Sequence, residues 1–187
     1  DTVTVSEYAA SMGGSQVFLE PSETQTVETM IKCISIASAN DATVSLAEYV
    51  AGSEVAIVPM QNQTARELGM TNSHFTNPTG LDGEEHYSTA YDMALLARAC
   101  LQTPELAEMT ATRSVTMEGR TLVNHNKLLW RYEGCVGMKT GYTQAAGRTL
   151  VSAAQRDGMT LIAVTLNAPN DWSDHAALLD YGFANYH

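Results

Sequence analysis

Apolar residues recur at helical spacing through about the first 110 residues of the chain. Thr26 is typical of a helix N-cap, and one apolar helical face follows it, formed by Val27, Met30, Ile31 and Ile34. Further helices are predicted over residues 41–51, 53–69 and 93–101, with a short one opening at residue 104. This part of the chain, about residues 22–110, is therefore predicted to be mainly helical.

From about residue 111 the pattern changes to the alternation that is typical of strands. The pairs Glu118-Gly119 and Asp157-Gly158 each lie between two such runs, and Asp-Gly in this setting is a strong hairpin signal. The predicted strands are residues 114–117, 121–123, 134–140, 148–155 and 160–166, and a last helix covers residues 171–185. Helices followed by an antiparallel sheet and one returning helix predict an α+β fold.

Length and charge narrow the possible functions. The 187 residues fit a single domain, with the sheet part over about residues 111–187. Lys and Arg number 10 against 21 Asp and Glu, so the formal net charge is −11. Nucleic acids and anionic membrane surfaces both require a cationic patch on the protein, so neither is an expected partner. No apolar run approaches the roughly 20 residues that span a bilayer.

Cysteine and histidine usage indicates no metal centre. The three cysteines are too few and too scattered for a disulfide framework or a zinc site, and are interpreted as small buried apolar residues. The five histidines form no i, i+4 pair and have no carboxylate at ligand spacing. We therefore predict no metal and no other cofactor. Among the histidines only His125, shortly before residue 139, is a candidate for lining a cleft.

Two short clusters are candidates for chemistry. Ser38-Ala39-Asn40 lies between two predicted helices, where both polar side chains would also serve as ordinary helix caps. Lys139-Thr140-Gly141 lies on a predicted strand, and Lys139 is one of only three lysines in the chain. A half-buried lysine beside a glycine, which lets another backbone approach, suits a carboxylate-binding site.

These clusters, in this order and about a hundred residues apart, resemble the second and third signatures of the penicillin-recognising serine enzymes. Several longer segments resemble the serine-type D-alanyl-D-alanine carboxypeptidases, which are low-molecular-weight penicillin-binding proteins. The resemblance covers nearly the whole chain and includes Glu67-Leu68-Gly69-Met70, Asn77-Pro78-Thr79-Gly80-Leu81, His86-Tyr87-Ser88-Thr89-Ala90-Tyr91-Asp92, Asn126-Lys127-Leu128-Leu129 and Ala146-Gly147-Arg148.

The resemblance implies a β-lactamase/transpeptidase-like fold, in which helices pack on both faces of an antiparallel sheet. It also implies an enzyme that removes the terminal D-alanine from peptidoglycan stem pentapeptides through an acyl-enzyme, outside the bacterial cytoplasmic membrane. β-Lactam antibiotics would acylate and inhibit the complete enzyme.

The family's roles transfer to matching positions in the first cluster and to Lys139. Ser38 would pass a proton to the leaving amine, since a hydroxyl can donate and accept at once. Asn40 would bind the substrate backbone and hold the catalytic lysine. Lys139 would supply positive potential for the substrate.

The resemblance also assigns the residues around the second cluster. Thr140 would bind the terminal carboxylate, and Gly141 would let the substrate lie along the strand edge as an added strand. The backbone N–H of Tyr142 would be an oxyanion-hole donor. Arg148 is a candidate for neutralising a substrate carboxylate, although an ordinary ion pair at the strand edge explains it as well. His125 would line the cleft.

The family's first signature, Ser-x-x-Lys, is absent from these 187 residues. Thr29, Asn124 and Val136 stand three positions before the three lysines, so the chain contains no nucleophile of this type. By the resemblance, the chain begins just after the segment with the family's opening strands and nucleophile helix. We expect a fragment that is inactive alone, to which a complementing or domain-exchanged chain could supply the missing segment.

Three alternatives remain open from the sequence. A true pseudoenzyme would retain the cleft and bind peptidoglycan without acylation. A class A β-lactamase would need a deacylating glutamate before the Lys-Thr-Gly strand, where Glu105 and Glu108 lie without a recognisable motif. A metalloenzyme is disfavoured by the histidine spacing. The fragment is favoured over the pseudoenzyme because Ser38, Asn40 and Lys139 are costly residues to keep without acylation.

Overall fold

The computed structural model describes residues 1–186, and it has the α+β class predicted from the sequence. These residues group into two compact units. The first unit comprises Asp1–Thr64, His74–His86 and Ser114–Asn124, and the second comprises Ala65–Ser73, Tyr87–Arg113 and residues 125–186. The sequence-based division into a helical part and a sheet part of one incomplete domain stays a prediction.

The first unit packs helices against two small antiparallel sheets, one pairing β1 with β2 and the other pairing β3 with β4. Its core is formed mainly by α2, α3 and the first residues of the chain. Its elements are β1 (Thr2–Thr4), α1 (Glu7–Ala10), β2 (Thr24–Thr26), α2 (Val27–Ala37), α3 (Asn40–Ala51), α4 (Glu54–Glu67), which begins in this unit, β3 (Ser114–Met117) and β4 (Arg120–Val123).

Helix α2 begins where the sequence predicts, but its buried face is rotated. The hydroxyl of Thr26 caps the helix by accepting a hydrogen bond from the Thr29 N–H at 3.0 Å. The fully buried positions are Met30, Cys33 and Ile36, whereas Ile31 of the predicted face lies outside the core. The helix is therefore confirmed. The predicted face was only partly right because apolar residues lie on more than one face of this helix, so the sequence alone did not fix which face is buried.

The second unit contains a four-stranded antiparallel sheet with β7 at its centre. Strand β8 pairs along one side of β7, while β6 pairs with the first half of its other side and β5 with the second half. The elements are α5 (Ala90–Leu101), α6 (Pro104–Ala111), α7 (Leu128–Arg131), β5 (Cys135–Gly137), β6 (Thr140–Thr143), β7 (Gly147–Arg156), β8 (Met159–Thr165) and α8 (Asp171–Asn185).

Helices cover both faces of this sheet, as the resemblance implied. Successive residues of a strand point to opposite faces. On β7, Val151 and Ala153 pack with Ala97 of α5, whereas Ala154 packs with Leu179 of α8. None of the helices in residues 1–186 combines the length and apolar composition needed to cross a lipid bilayer.

The hairpin predicted at Asp157-Gly158 is confirmed, and the strand predicted over residues 134–140 is not continuous. Asp157 and Gly158 both have positive φ, 49° and 81°, as a type I′ turn requires. Strand β5 instead ends at Gly137, and Met138 has a φ of 82°. Lys139 therefore lies in a sharp break between two strands rather than inside one.

Candidate active site

The eight candidate residues divide between the two units. Ser38 and Asn40 belong to the first unit. The second unit contains His125, Lys139, Thr140, Gly141, Tyr142 and Arg148. Each set has its own local architecture.

Ser38 lies at a tight junction between two helices of the first unit. It is the C-cap of α2, with a left-handed φ of 59°, and its N–H donates to the Ile34 carbonyl at 3.1 Å. This is the single backbone bond of an αL helix ending, and the Ala39 N–H also donates to the Cys33 carbonyl at 3.3 Å. Glycine is the usual residue at such a position, so a serine here bears backbone strain.

Asn40 is the first residue of α3, yet its side chain does not cap the helix. The residue is 7% exposed, and its Nδ2 donates to the Gly13 carbonyl at 2.8 Å. Its backbone N–H donates to the Ser15 carbonyl, also at 2.8 Å. The contact with Gly13 orients the amide, so that Oδ1 and the second Nδ2–H point away from this carbonyl. One acceptor and one donor are thus presented in a defined direction.

Lys139 is the candidate cation of the second unit. Its ammonium group donates to the Thr140 carbonyl at 2.8 Å, and the side chain is half-buried. Burial lowers the pKa of Lys139 to about 8, because an ammonium loses hydration in this environment. An anion bound beside the ammonium would offset that loss, so the environment favours a negatively charged ligand.

Residues 140–142 lie on β6, which is an edge strand of the four-stranded sheet. Gly141 faces Thr149 across the ladder, and a Cβ at Gly141 would come within 2.5 Å of the Thr149 hydroxyl. Tyr142 is 72% exposed. A small residue and an open edge on the same strand would let an extended peptide add alongside it.

His125 and Arg148 have neighbours that bear on their predicted roles. Partial burial, followed by the positive charge of Lys139, lowers the pKa of His125, so the imidazole lies within electrostatic range of the lysine. Arg148 stands opposite Tyr142 in the ladder, and its Nε donates to Asp171 Oδ2 at 3.2 Å. The ion pair that the sequence left as an explanation for Arg148 is therefore present.

A serine–histidine pair lies in the core of this unit and is structural. Ser152 Oγ and His175 Nδ1 are 2.6 Å apart, and the other ring nitrogen is 2.9 Å from the Thr165 hydroxyl. Both Ser152 and His175 are fully buried, so no substrate reaches them. Burial lowers the pKa of His175 to about 4, which keeps the ring neutral. Sequence reasoning missed this network because its members are distant along the chain.

Among residues 1–186, the cysteines and the groups that could bind a metal form no competing site. The three cysteines are free thiols, and burial raises the pKa of Cys33 to about 11, which suppresses its thiolate. Within residues 1–186, no group of three or more His, Cys, Asp and Glu side chains is arranged to hold a metal ion.

The α+β fold is that of the penicillin-binding proteins and DD-transpeptidases. D-alanyl-D-alanine carboxypeptidase DacD from Francisella tularensis superposes with a TM-score of 0.93 at 32% identity, over 100% of this chain and 59% of that one. The Streptomyces K15 DD-transpeptidase gives 0.91 at 27% identity, over 98% and 79%.

Sequence comparison then identifies the family. Residues 1–170 match the peptidase S11 family, described as D-alanyl-D-alanine carboxypeptidase, and the chain belongs to this family. D-alanyl-D-alanine carboxypeptidase DacF of Bacillus subtilis is 45% identical over 194 residues, covering 100% of this chain and 50% of DacF. The chain thus spans about half the length of the first curated relatives that it matches.

Proposed function

We propose that this chain belongs to the catalytic part of a serine-type D-Ala-D-Ala carboxypeptidase. The enzyme removes the terminal D-alanine of peptidoglycan stem pentapeptides at the outer face of the cytoplasmic membrane, and β-lactam antibiotics acylate it. The observation that carries the proposal is the half-buried ammonium of Lys139, placed directly before an edge strand. Membership of the peptidase S11 family supports the same conclusion.

The second-unit residues bind the C-terminal end of the peptide. Lys139 and the Thr140 hydroxyl attract the terminal carboxylate, while the peptide adds to β6 beside Gly141. The N–H of Tyr142 donates to the carbonyl oxygen that becomes negative during attack, a role worth about 3–4 kcal/mol in other enzymes. His125 lines the cleft near Lys139, and Arg148 contributes to the positive surroundings of the carboxylate.

The first-unit residues act on the scissile bond. The family's serine nucleophile attacks the penultimate D-alanine carbonyl, and Ser38 transfers a proton to the departing amine of free D-alanine. Asn40 uses its Oδ1 to hold the catalytic lysine and its second N–H to bind a substrate carbonyl. Water then hydrolyses the ester, which regenerates the serine and releases the tetrapeptide.

The nucleophile and its lysine base are not among these residues, because no Ser-x-x-Lys occurs in the sequence. We therefore expect the 187-residue chain alone to be unable to form an acyl-enzyme. A protein that joins a Ser-x-x-Lys segment to these residues, in one chain or by complementation, is the active species.

Intact mass spectrometry with a labelled penicillin tests the proposal. The 187-residue chain is expected to gain no penicilloyl mass, whereas the protein with the restored segment gains one equivalent and releases it slowly. A penicilloyl adduct on the 187-residue chain alone contradicts the proposal. If the protein with the restored Ser-x-x-Lys segment binds pentapeptide but forms no adduct, the proposal is also contradicted, and the protein is a pseudoenzyme. Rapid nitrocefin turnover would instead identify a β-lactamase.

A further inference from the structure

One loop of the first unit, residues 13–19, is held by a buried carboxylate from α3. Asp41 is fully buried, and its Oδ2 accepts hydrogen bonds from the N–H groups of Leu19 at 3.0 Å and Val17 at 3.2 Å. Its Oδ1 accepts from the Ala42 N–H at 2.9 Å. Asp41 thus takes up the donors of the loop and orients itself on the first turn of the helix.

The carbonyl groups of the same loop are held by Arg120 at the start of β4. Its Nε donates to the Val17 carbonyl at 2.9 Å, and its Nη2 donates to the Phe18 carbonyl at 3.0 Å. The guanidinium also pairs with both carboxylate oxygens of Glu23, at 2.6 and 2.8 Å. Asp41 and Arg120 therefore form a clamp that takes the N–H groups and the carbonyl groups of one short segment.

The clamped segment would not adopt this conformation by itself. Phe18 has a φ of 58°, in the left-handed region that a bulky residue rarely occupies. Its side chain is 74% exposed, so no packing of the ring compensates for the strain. The conformation consequently depends on the hydrogen bonds that the loop donates to Asp41 and accepts from Arg120.

The other end of the same loop supports Asn40. The carbonyl groups of Gly13 and Ser15 accept hydrogen bonds from the side chain and the backbone of Asn40. Gly14 has a φ of 82°, and a Cβ there would lie 2.8 Å from Asn40 Nδ2. A shift of the loop would therefore move the carbonyl that decides which way the amide of Asn40 points.

We propose that Asp41 is a positioning residue, which sets the orientation of the Asn40 amide by holding loop 13–19 in its strained form. Without the Gly13 carbonyl in place, the amide can rotate by 180° and exchange its acceptor and donor. The catalytic consequence rests on the proposed function, in which Asn40 holds the catalytic lysine and the substrate. The structural claim, that Asp41 sets the orientation of the Asn40 amide, does not depend on the proposed function.

The structural part is tested by nuclear magnetic resonance on the 187-residue chain. In the parent chain, the Nδ2 protons of Asn40 are expected to exchange slowly with water, because one of them is bonded to Gly13. In Asp41→Asn, one carboxylate oxygen becomes an NH2 group, which cannot accept from the N–H groups of Val17, Leu19 or Ala42. Exchange of the Asn40 amide should therefore accelerate at least about tenfold.

Two further variants keep this test interpretable. Asp92→Asn in the second unit is the matched control, because Asp92 is also buried and accepts from the Asn72 N–H at 2.8 Å. It should leave the Asn40 signal unchanged. Arg120→Met removes the hydrogen bonds to the Val17 and Phe18 carbonyls. Arg120 is partly exposed, so this variant should fold even if Asp41→Asn does not, and exchange of the Asn40 amide should accelerate in it. Unchanged exchange in a folded clamp variant overturns the proposal.

The catalytic part is tested by penicillin acylation in the protein that contains the Ser-x-x-Lys segment. Asp41→Asn should slow acylation about 10- to 100-fold, as small displacements of positioned groups do. In an Asn40→Ala background the same change should have less than about a twofold effect, because both act through one amide. Additive effects would assign Asp41 a purely structural role. If Asn40→Ala alone has no effect, the proposed function fails instead.

Discussion

The two units hold their candidate residues by different physical means. In the first unit, Asn40 is oriented by a loop whose conformation depends on side-chain hydrogen bonds and on the ion pair between Arg120 and Glu23. In the second unit, residues 140–142 are oriented by the backbone ladder between β6 and β7. A ladder is insensitive to most side-chain changes, whereas a polar network fails when one member is removed.

This difference predicts where each unit is vulnerable. The second unit should tolerate loss of a functional side chain without unfolding. It should lose stability when a side chain is added at a position where two backbone segments approach closely. The first unit should lose the geometry of its site through charge changes at residues that touch no ligand.

The largest expected effect is on activity. Lys139→Ala in the protein containing the Ser-x-x-Lys segment should reduce penicillin acylation about 1,000-fold, equivalent to about 4 kcal/mol, because the carboxylate loses its cation. The unfolding midpoint should change little, since backbone hydrogen bonds to β7 hold the strands on both sides of Lys139. Lys127→Ala is the matched control and should acylate normally. Retained acylation in Lys139→Ala would remove the cation from the mechanism.

The pH dependence of acylation gives an independent check on the same lysine. Burial lowers the pKa of Lys139 to about 8, so the charged ammonium is present below this pH and is lost above it. The second-order acylation rate should therefore fall about tenfold per pH unit above pH 8. A rate that is flat up to pH 10 would contradict the assignment.

The next largest effect is on stability of the second unit. Gly137 has a φ of 110°, and a Cβ there would meet the Thr110 carbonyl oxygen at 2.3 Å. Gly137→Ala should lower the free energy of unfolding by about 3–4 kcal/mol, because the added Cβ would clash with the backbone of Thr110 and the clash cannot be relieved by moving a flexible side chain. Gly158→Ala is the control, with φ of 81° and open space around it, and should cost about 1 kcal/mol. Urea unfolding measures both, and equal losses would contradict the close approach.

Local chemistry explains which features the sequence could predict. The hairpin at Asp157-Gly158 and the N-cap at Thr26 depend on neighbouring residues, and both are confirmed. The close approach of Gly137 to the Thr110 carbonyl joins residues that are distant along the chain, and no local pattern signals it.

The candidate residues show the same division. Ser38, Asn40 and Lys139 were found because short motifs mark them, and their roles stay predictions. The clamp on loop 13–19 was missed because Asp41 and Arg120 are far apart in the sequence. A single buried acid at a helix start looks like an ordinary helix-end charge. Only its contacts reveal that it holds a loop.

Acid should destabilise the second unit through His175. Burial lowers the pKa of His175 to about 4, so between about pH 6.5 and pH 4 the unfolded chain binds a proton that the folded chain does not. Stability should therefore fall by about 3 kcal/mol as pH drops through this window. Hydrogen exchange on β7, β8 and α8 measures it. In His175→Gln, which does not titrate, this portion of the pH dependence should vanish, and its persistence would point to another group.

The smallest expected effect is in the first unit and at lower pH. Arg120 lowers the pKa of Glu23 to about 2, so the ion pair contributes stability above about pH 4.5 and loses it as pH falls towards 2. The side chain of Glu23 is 17% exposed and that of Arg120 is 26% exposed, so solvent screening limits the stabilisation by this ion pair to about 2 kcal/mol. Glu23→Gln should lose this amount of stability at pH 7, measured by urea unfolding, while Glu20→Gln on the exposed side of the same turn should change little.

Because the two acid transitions involve different units, hydrogen exchange at pH 5 should rise in β7 and α8 while loop 13–19 stays protected. Simultaneous loss of protection in both would mean that the polar network and the ladder fail together.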